Sequence, residues 1–269
     1  MAAPFQSYTI DVAPDPAIPA YASMAGMAGA LGKNRSVELG YENLDRLLPY
    51  DGIRNVVHRS NSAKTGALVG RTEEDSNLSR VVGFESGLER AVAISALIHP
   101  NTFGLKCQPR HFGFEQKVDD VGSNTLDFLV TLRNGQKTYL YVKNDDSLGR
   151  TKQALICEQI RLQLPEGCGF AVVSEASFSP QLRGNNERIF LAKRFPDPEA
   201  DARLVEVLED IIDKPKFTIE ELVIRGVGPR DKAEQGRMFD AVLRAIADFR
   251  LFADKKRLID YPTVVGRPE

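Results

Sequence analysis

Two short runs between residues 124 and 143, NTLDFLVTL and KTYLYVK, alternate apolar with polar side chains on either side of Arg133-Asn134-Gly135-Gln136. Leu126, Phe128, Val130 and Leu132 alternate with Thr125, Asp127, Leu129 and Thr131, the period of a β-strand. On the return, Thr138, Leu140 and Val142 alternate with Lys137, Tyr139, Tyr141 and Lys143. Antiparallel partners share a face, so matching apolar with apolar fixes the register. A two-residue Asn134-Gly135 turn would set Asp127 against Val142 and bury polar groups. A three-residue loop, Arg133-Asn134-Gly135 with Gly135 in the left-handed region, pairs Asp127 with Tyr141 and Leu126 with Val142. That register puts Asp127, Tyr141 and Lys143 on one face and an apolar layer on the other.

Helical spacing comes next. Phe84, Leu88, Ala91, Val92, Ser95 and Ile98 make an inner stripe that predicts a helix over 84–98, ended by His99-Pro100. Strands are predicted near 104–108 and 111–118, before the hairpin. Leu155, Ile156, Ile160 and Leu162 predict a helix over 151–164, and GFAVVSE (169–175) reads as a buried strand. A helix over 185–195 follows. Helix, strands with a hairpin, helix and strand in this order predict a mixed α/β core. Pro196-Asp197-Pro198 marks a boundary. Beyond it helices are predicted over 199–212, 218–223 and 234–249, the second opened by a capping box at Thr218-Ile-Glu-Glu221. Short strands over 251–254 and 258–265 complete a winged-helix-like α+β module, with all-helical packing and a β-tail as the alternative. The organisation read from the sequence is a flexible arm (1–35, with a short helix near 21–31), an extension (36–79), a core (80–196) and a C-terminal module (197–269).

Composition narrows the partners. The 269 residues are 42% hydrophobic and 27% charged with a formal net charge of −2, so no global basic field announces nucleic acid, and any such contact must be local. Cys107, Cys157 and Cys168 lack metal-ligand spacing, and an odd number of cysteines fits reduced thiols in a cytoplasmic protein. No apolar run approaches a membrane span, and no charged segment precedes an apolar one at the N-terminus.

The ordered set FESGLER (84–90), HPNTFGLKCQP (99–109), TLDFLV (125–130), Asn134-Gly135 and YVK (141–143) resembles the TnsA family, the endonuclease subunit of heteromeric transposases. It is similar more widely to the restriction-endonuclease-like PD-(D/E)xK superfamily. FAVVSE (170–175) and NERIF (186–190) fall where that likeness leads one to expect them. The resemblance covers roughly 115 residues, a moderately specific match as an ordered set. It implies a restriction-endonuclease-like core that cuts double-stranded DNA at transposon ends in the bacterial cytoplasm or nucleoid. It also implies a DDE transposase (TnsB-like) and an AAA+ regulator (TnsC-like) as partners. Glu89 would be the helix acid, Asp127 the central metal-binding acid and Lys143 the catalytic lysine. Glu89, Asp127 and the Val142 backbone carbonyl would hold Mg²⁺, for which Mn²⁺ could substitute.

Phosphodiester hydrolysis needs charge stabilised on phosphorus, an activated water and a protonated leaving group. Carboxylate-held Mg²⁺ supplies the first two, and an ammonium can steady the water or the phosphorane. One position departs from the superfamily pattern: Tyr141 stands where Glu, Asp or Gln is usual, and a phenol of pKa roughly 10 is a poor Mg²⁺ ligand. Three explanations stay open. The site works with two carboxylates, an acid such as Glu158 or Asp145 has migrated into it, or it is inactive.

Structural roles compete for each residue. Ser86-Gly-Leu-Glu89 is itself a capping-box pattern. Asp127 and Lys143 could be a cross-strand ion pair on a solvated face, worth about 0.2–1 kcal/mol. Glu85 could share the site or simply solvate the helix start. Gln108 could line the site or shape the turn before Pro109. Lys152 and Gln153 could touch phosphates or solvate a first helical turn. Lys255, Lys256 and Arg257 could grip DNA from a wing or form a solvated turn. His99 and His111, with no third ligand in view, read as helix-end and surface residues.

Overall fold

A computed structural model describes residues 47–54, 56, 65–118, 121–148 and 151–268; the arm at 1–35, with its helix near 21–31, lies outside them. The first strand pair among the described residues is a hairpin absent from the sequence reading. β1 (Gly66–Arg71) pairs antiparallel with β2 (Ser79–Phe84), from Gly66 opposite Phe84 to Arg71 opposite Ser79. Residues 65–69 carry only a weak alternation, so this pairing depends on a partner strand that the sequence does not announce. Phe84 therefore ends a strand, and α1 (Gly87–Ile98) begins after it, capped by Ser86, whose Oγ accepts the Glu89 N–H. Helix α1 is buried nearly all round, with Leu88, Val92, Ile94 and Ile98 in the core and Ser95 only partly covered.

β3 (Thr102–Cys107) follows, then an antiparallel hairpin of β4 (His111–Val118) and β5 (Val121–Thr125). β6 (Phe128–Leu132) and β7 (Lys137–Val142) form the expected hairpin, pairing Phe128 with Leu140, Leu129 with Tyr139 and Val130 with Thr138. Its loop has the predicted length. Gly135 sits at φ +83, its N–H donates to Leu132 O at 2.9 Å, and Leu132 N–H donates to Gln136 O at 2.8 Å. After α2 (Asp145–Leu148) and α3 (Thr151–Leu162), β8 (Cys168–Val173) returns parallel to β7, as a helical crossover requires. The sheet order is β3-β6-β7-β8.

Both faces of this sheet are covered. Phe128, Val130, Leu140 and Val142 join α1 and α4 (Pro180–Arg194) in one cluster, while Tyr139 and Tyr141 join Phe112, Ile156 and Ile160 in another. The expected polar face is thus a second buried layer under α3 and β4. Leu126, expected beside Phe128, belongs to the Tyr139/Tyr141 cluster instead. The cause is local. The Leu126 N–H donates to Arg110 O at 3.3 Å, the Asp127 N–H donates to Leu140 O at 3.1 Å, and regular pairing begins only at Phe128. The chain bends at Asp127, and Leu126 turns over. On α3 the buried side chains are Ile156, Cys157 and Ile160; Leu155 and Leu162, expected inward, are exposed.

Helix α4 starts at Pro180, five residues before its predicted start, with Ser179 as its cap. It is followed by α5 (Pro198–Asp210), β9 (Lys216–Thr218), α6 (Ile219–Val227), α7 (Lys232–Ala247) and β10 (Val264–Gly266). Thr218 and Glu221 close the predicted capping box on α6. β9 and β10 pair antiparallel, and Phe252 bridges to Gly266. The expected tail strands shrink to that bridge and β10. Helix α7 packs against α4, α5 and α6, and one continuous apolar cluster runs from Leu68 to Val265. Among the described residues no helix is long and apolar enough to cross a membrane.

Candidate active site

Asp127 occupies the bend that starts β6. Its backbone bridges two strands: its carbonyl accepts the Gln108 N–H at 2.8 Å, and its own N–H reaches Leu140. Its Oδ2 accepts the Val142 N–H at 2.7 Å. The side chain is 6% exposed, and this burial pushes the carboxyl up from an ordinary 3.8 to about 7. Lys143 pulls it back down, whereas the Glu89 charge raises it further. Such an acid carries a proton part of the time at neutral pH.

Glu89 enters from the first turn of α1. It is buried, and burial raises its pKa, opposed by hydrogen bonds and by the Lys143 charge. Oε2 accepts the Glu85 N–H at 2.8 Å, and Oε1 accepts the Ser86 hydroxyl at 3.1 Å. The capping geometry and a place beside Asp127 therefore coexist in one side chain. Glu85 raises the pKa of both acids through its charge, so it is the third carboxylate of the neighbourhood.

Lys143 follows the last residue of β7. Its backbone N–H donates to Val173 O at 3.0 Å, and its Nζ lies 4.4 Å from the centre of the Tyr141 ring, a cation–π distance. The Tyr141 phenol is fully buried; it accepts from Asn124 Nδ2 at 2.9 Å and donates to Gln153 Oε1 at 3.1 Å. Both hydrogen-bonding roles of that hydroxyl are taken, and burial drives its pKa above the usual phenol value. Tyr141 supplies an aromatic floor for the lysine, and Gln153 supports that floor.

Gln108 is buried, with φ +42 at its backbone. A non-glycine residue rarely adopts that region, and it costs on the order of 1 kcal/mol or more. Hydrogen bonds from its N–H to Asp127 O and from Ile53 N–H to its own carbonyl hold it there. The structure thus brings together Glu89, Asp127, Lys143, Gln108, Tyr141 and Gln153. Lys152 is half-buried in the first turn of α3, while Glu158 is exposed further along that helix and Asp145 is exposed at the start of α2. Neither acid is among the largest influences on the Asp127 carboxyl. Lys255, Lys256 and Arg257 lie in a turn held by Asn185 of α4, whose Nδ2 donates to Lys255 O at 3.0 Å and Arg257 O at 2.6 Å. His99 stacks edge-on against Phe249, and His111 meets Thr125.

Two participants carry no signal in the sequence. Asn124 opens the alternating run, and nothing in the alternation assigns its amide a partner. Arg54 belongs to a stretch without periodicity; its Nε donates to Gln108 Oε1 at 3.0 Å, and its Nη2 pairs with Glu85. Among the described residues no group of three His, Cys, Asp or Glu side chains is set as metal ligands. The acid pair nevertheless suits a cation. Two buried carboxylates, the charge of Glu89 opposing ionisation of Asp127, resist being charged together, a divalent ion relieves that cost, and Mg²⁺ is commonly held by one or two carboxylates with water and phosphate completing its shell. Compared with known proteins, the chain matches no family and no curated sequence.

Proposed function

We propose that the protein is a metal-dependent DNA endonuclease resembling TnsA, cutting strands at transposon ends beside a DDE transposase and an AAA+ regulator. The observation that carries this reading is the meeting of Glu89, Asp127 and Lys143 around the bend that starts β6 and the end of β7. The order α1-β3-β6-β7-α3-β8 supports it, since it is the order expected of a restriction-endonuclease-like core. The succession α5, β9, α6, α7, β10 likewise supports a winged-helix-like module. Because α7 is covered by its neighbours, DNA contact from that module falls to the exposed Lys256 and Arg257.

Glu89 and Asp127 would hold Mg²⁺, with the Val142 carbonyl on the same strand edge as the amide that meets Asp127. Bound there, Mg²⁺ supplies Lewis-acid stabilisation of the phosphorane and a water of lowered pKa. The chain's own groups do the rest. The Val142 N–H orients the Asp127 carboxylate and favours its ionised form. The Ser86 and Glu85 bonds fix Glu89 in one rotamer. The Tyr141 ring holds the Lys143 ammonium near both acids, where it can stabilise charge developing on a phosphate oxygen or steady the attacking water.

The test is a cleavage assay on supercoiled and transposon-end DNA with Mg²⁺ or Mn²⁺, with and without the transposase. Wild type is expected to cut, with a loss of roughly 100-fold or more in Asp127→Ala and Lys143→Ala. Wild type that stays inert with every partner present overturns the reading. A defence or repair nuclease of the same fold would cut without the transposase. A second reading, a non-catalytic assembly subunit, draws on the engaged oxygens of Glu89 and the committed Tyr141 hydroxyl. In that case Asp127→Ala leaves transposition intact.

A further inference from the structure

The segment 47–54 is fastened across the hairpin and onto the site. Leu48 N–H donates to Ser79 O at 2.7 Å and Val81 N–H donates to Leu48 O at 3.1 Å, so this segment extends the β1–β2 ribbon as a parallel bridge. Asp51 Oδ1 then accepts the Cys107 N–H at 3.3 Å, and Ile53 N–H donates to Gln108 O at 3.3 Å. These bonds leave Arg54 at the mouth of the site. Its guanidinium spans Glu85 and Gln108, the two residues whose backbone N–H groups hold Glu89 and Asp127. It reaches the neighbours of both acids at once.

Those two contacts use two of the five N–H donors of the group, and its side chain is 52% exposed. A cation so placed can meet a phosphate without leaving its anchor. Its planar fork suits phosphate oxygens better than any other side chain. The electrostatic setting calls for one, because Glu85, Glu89 and Asp127 would repel a DNA backbone, and Lys143 lies on the Tyr141 side.

We propose that Arg54 is a phosphate-binding residue of this site, delivered by the segment before the core, and that it docks the DNA backbone over Glu89 and Asp127. Its place in a cutting reaction rests on the nuclease reading; its phosphate contact does not. Glu85 keeps the guanidinium oriented in the free protein, and a phosphate oxygen meets its exposed edge.

The experiment measures the affinity of the full chain for a short labelled duplex across a salt titration, without divalent metal, together with cleavage when metal is added. Arg54→Gln keeps an N–H donor for Glu85 but removes the charge, while Arg54→Lys keeps a charge without the fork. The expected result for Arg54→Gln is a log–log salt slope shallower by about 0.9 and affinity roughly five- to ten-fold weaker at moderate salt. Cleavage should fall at least roughly ten-fold. The slope should be retained in Arg54→Lys. Circular dichroism and melting of each variant separate a lost contact from a lost fold. A slope equal to wild type in a folded Arg54→Gln overturns the proposal, even if wild type cuts DNA. A shallower slope in a protein that never cuts upholds the phosphate contact and removes the nuclease reading instead.

Discussion

Replacing Asp127 by Asn is expected to stabilise the protein while destroying its proposed chemistry. The argument starts from a carboxyl raised from 3.8 to about 7, first by burial and further by the Glu89 charge. Between those values the folded state holds a proton that the unfolded chain has released, so stability falls as pH rises through this window and levels off above about 7. The stability is fully present only below the unfolded value. A shift of about 3 units corresponds to roughly 4 kcal/mol lost on going to high pH. Asn is a neutral isostere of the protonated acid, and its amide oxygen can still accept the Val142 N–H. Urea denaturation with EDTA should therefore show Asp127→Asn more stable than wild type by about 2–4 kcal/mol at pH 8, shrinking to about 1 kcal/mol or less near pH 4.5. Millimolar Mg²⁺ should stabilise wild type, by about 2.7 kcal/mol at a hundredfold excess over the dissociation constant, and leave the variant unmoved. A variant no more stable than wild type at pH 8, or a gain independent of pH, refutes the account of Asp127 as a buried, cation-seeking acid.

Two further substitutions probe the supports of the site. Tyr141→Phe removes the hydroxyl shared by Asn124 and Gln153 and leaves both amides short of a partner. A loss of about 1–3 kcal/mol in urea is expected, with Mg²⁺-induced stabilisation preserved because the phenol is not a ligand. Asn185→Ala deletes bonds to Lys255 O and Arg257 O and from the Ile259 N–H, at a cost of about 2–4 kcal/mol. Amide hydrogen exchange at residues 255–259 should accelerate with it.

The hairpin register was legible because two local signals agreed. Alternation set which residues face together, and Gly135 could take a left-handed φ that fixed the loop length. The mixed α/β order followed from periods of two and of three to four. Legibility stopped where a residue's surroundings come from distant chain. Leu126 turns over because Arg110 and Gln108 bind the strand around it, which no alternation records. The second buried layer depends on β4 and α3 closing over Tyr139 and Tyr141. Arg54 reaches Gln108 across 54 positions, and its own neighbours carry no period. Glu89 shows the reverse case: the sequence offered capping and site membership as rivals, and the side chain makes the capping bonds while its charge still acts on Asp127.

The buried amide of Asn185 has a consequence for how this chain could be dissected. It grips the turn that follows α7, seventy residues further on, while Arg244 of α7 donates to Ala192 O and Phe195 O at the end of α4. A cut at the Pro196 boundary would therefore strip the amino-terminal portion of its lid and leave apolar surface of α4 open to water. The portion before Pro196, if isolated, would be a sticky fragment, and residues 197–269 act as its clamp.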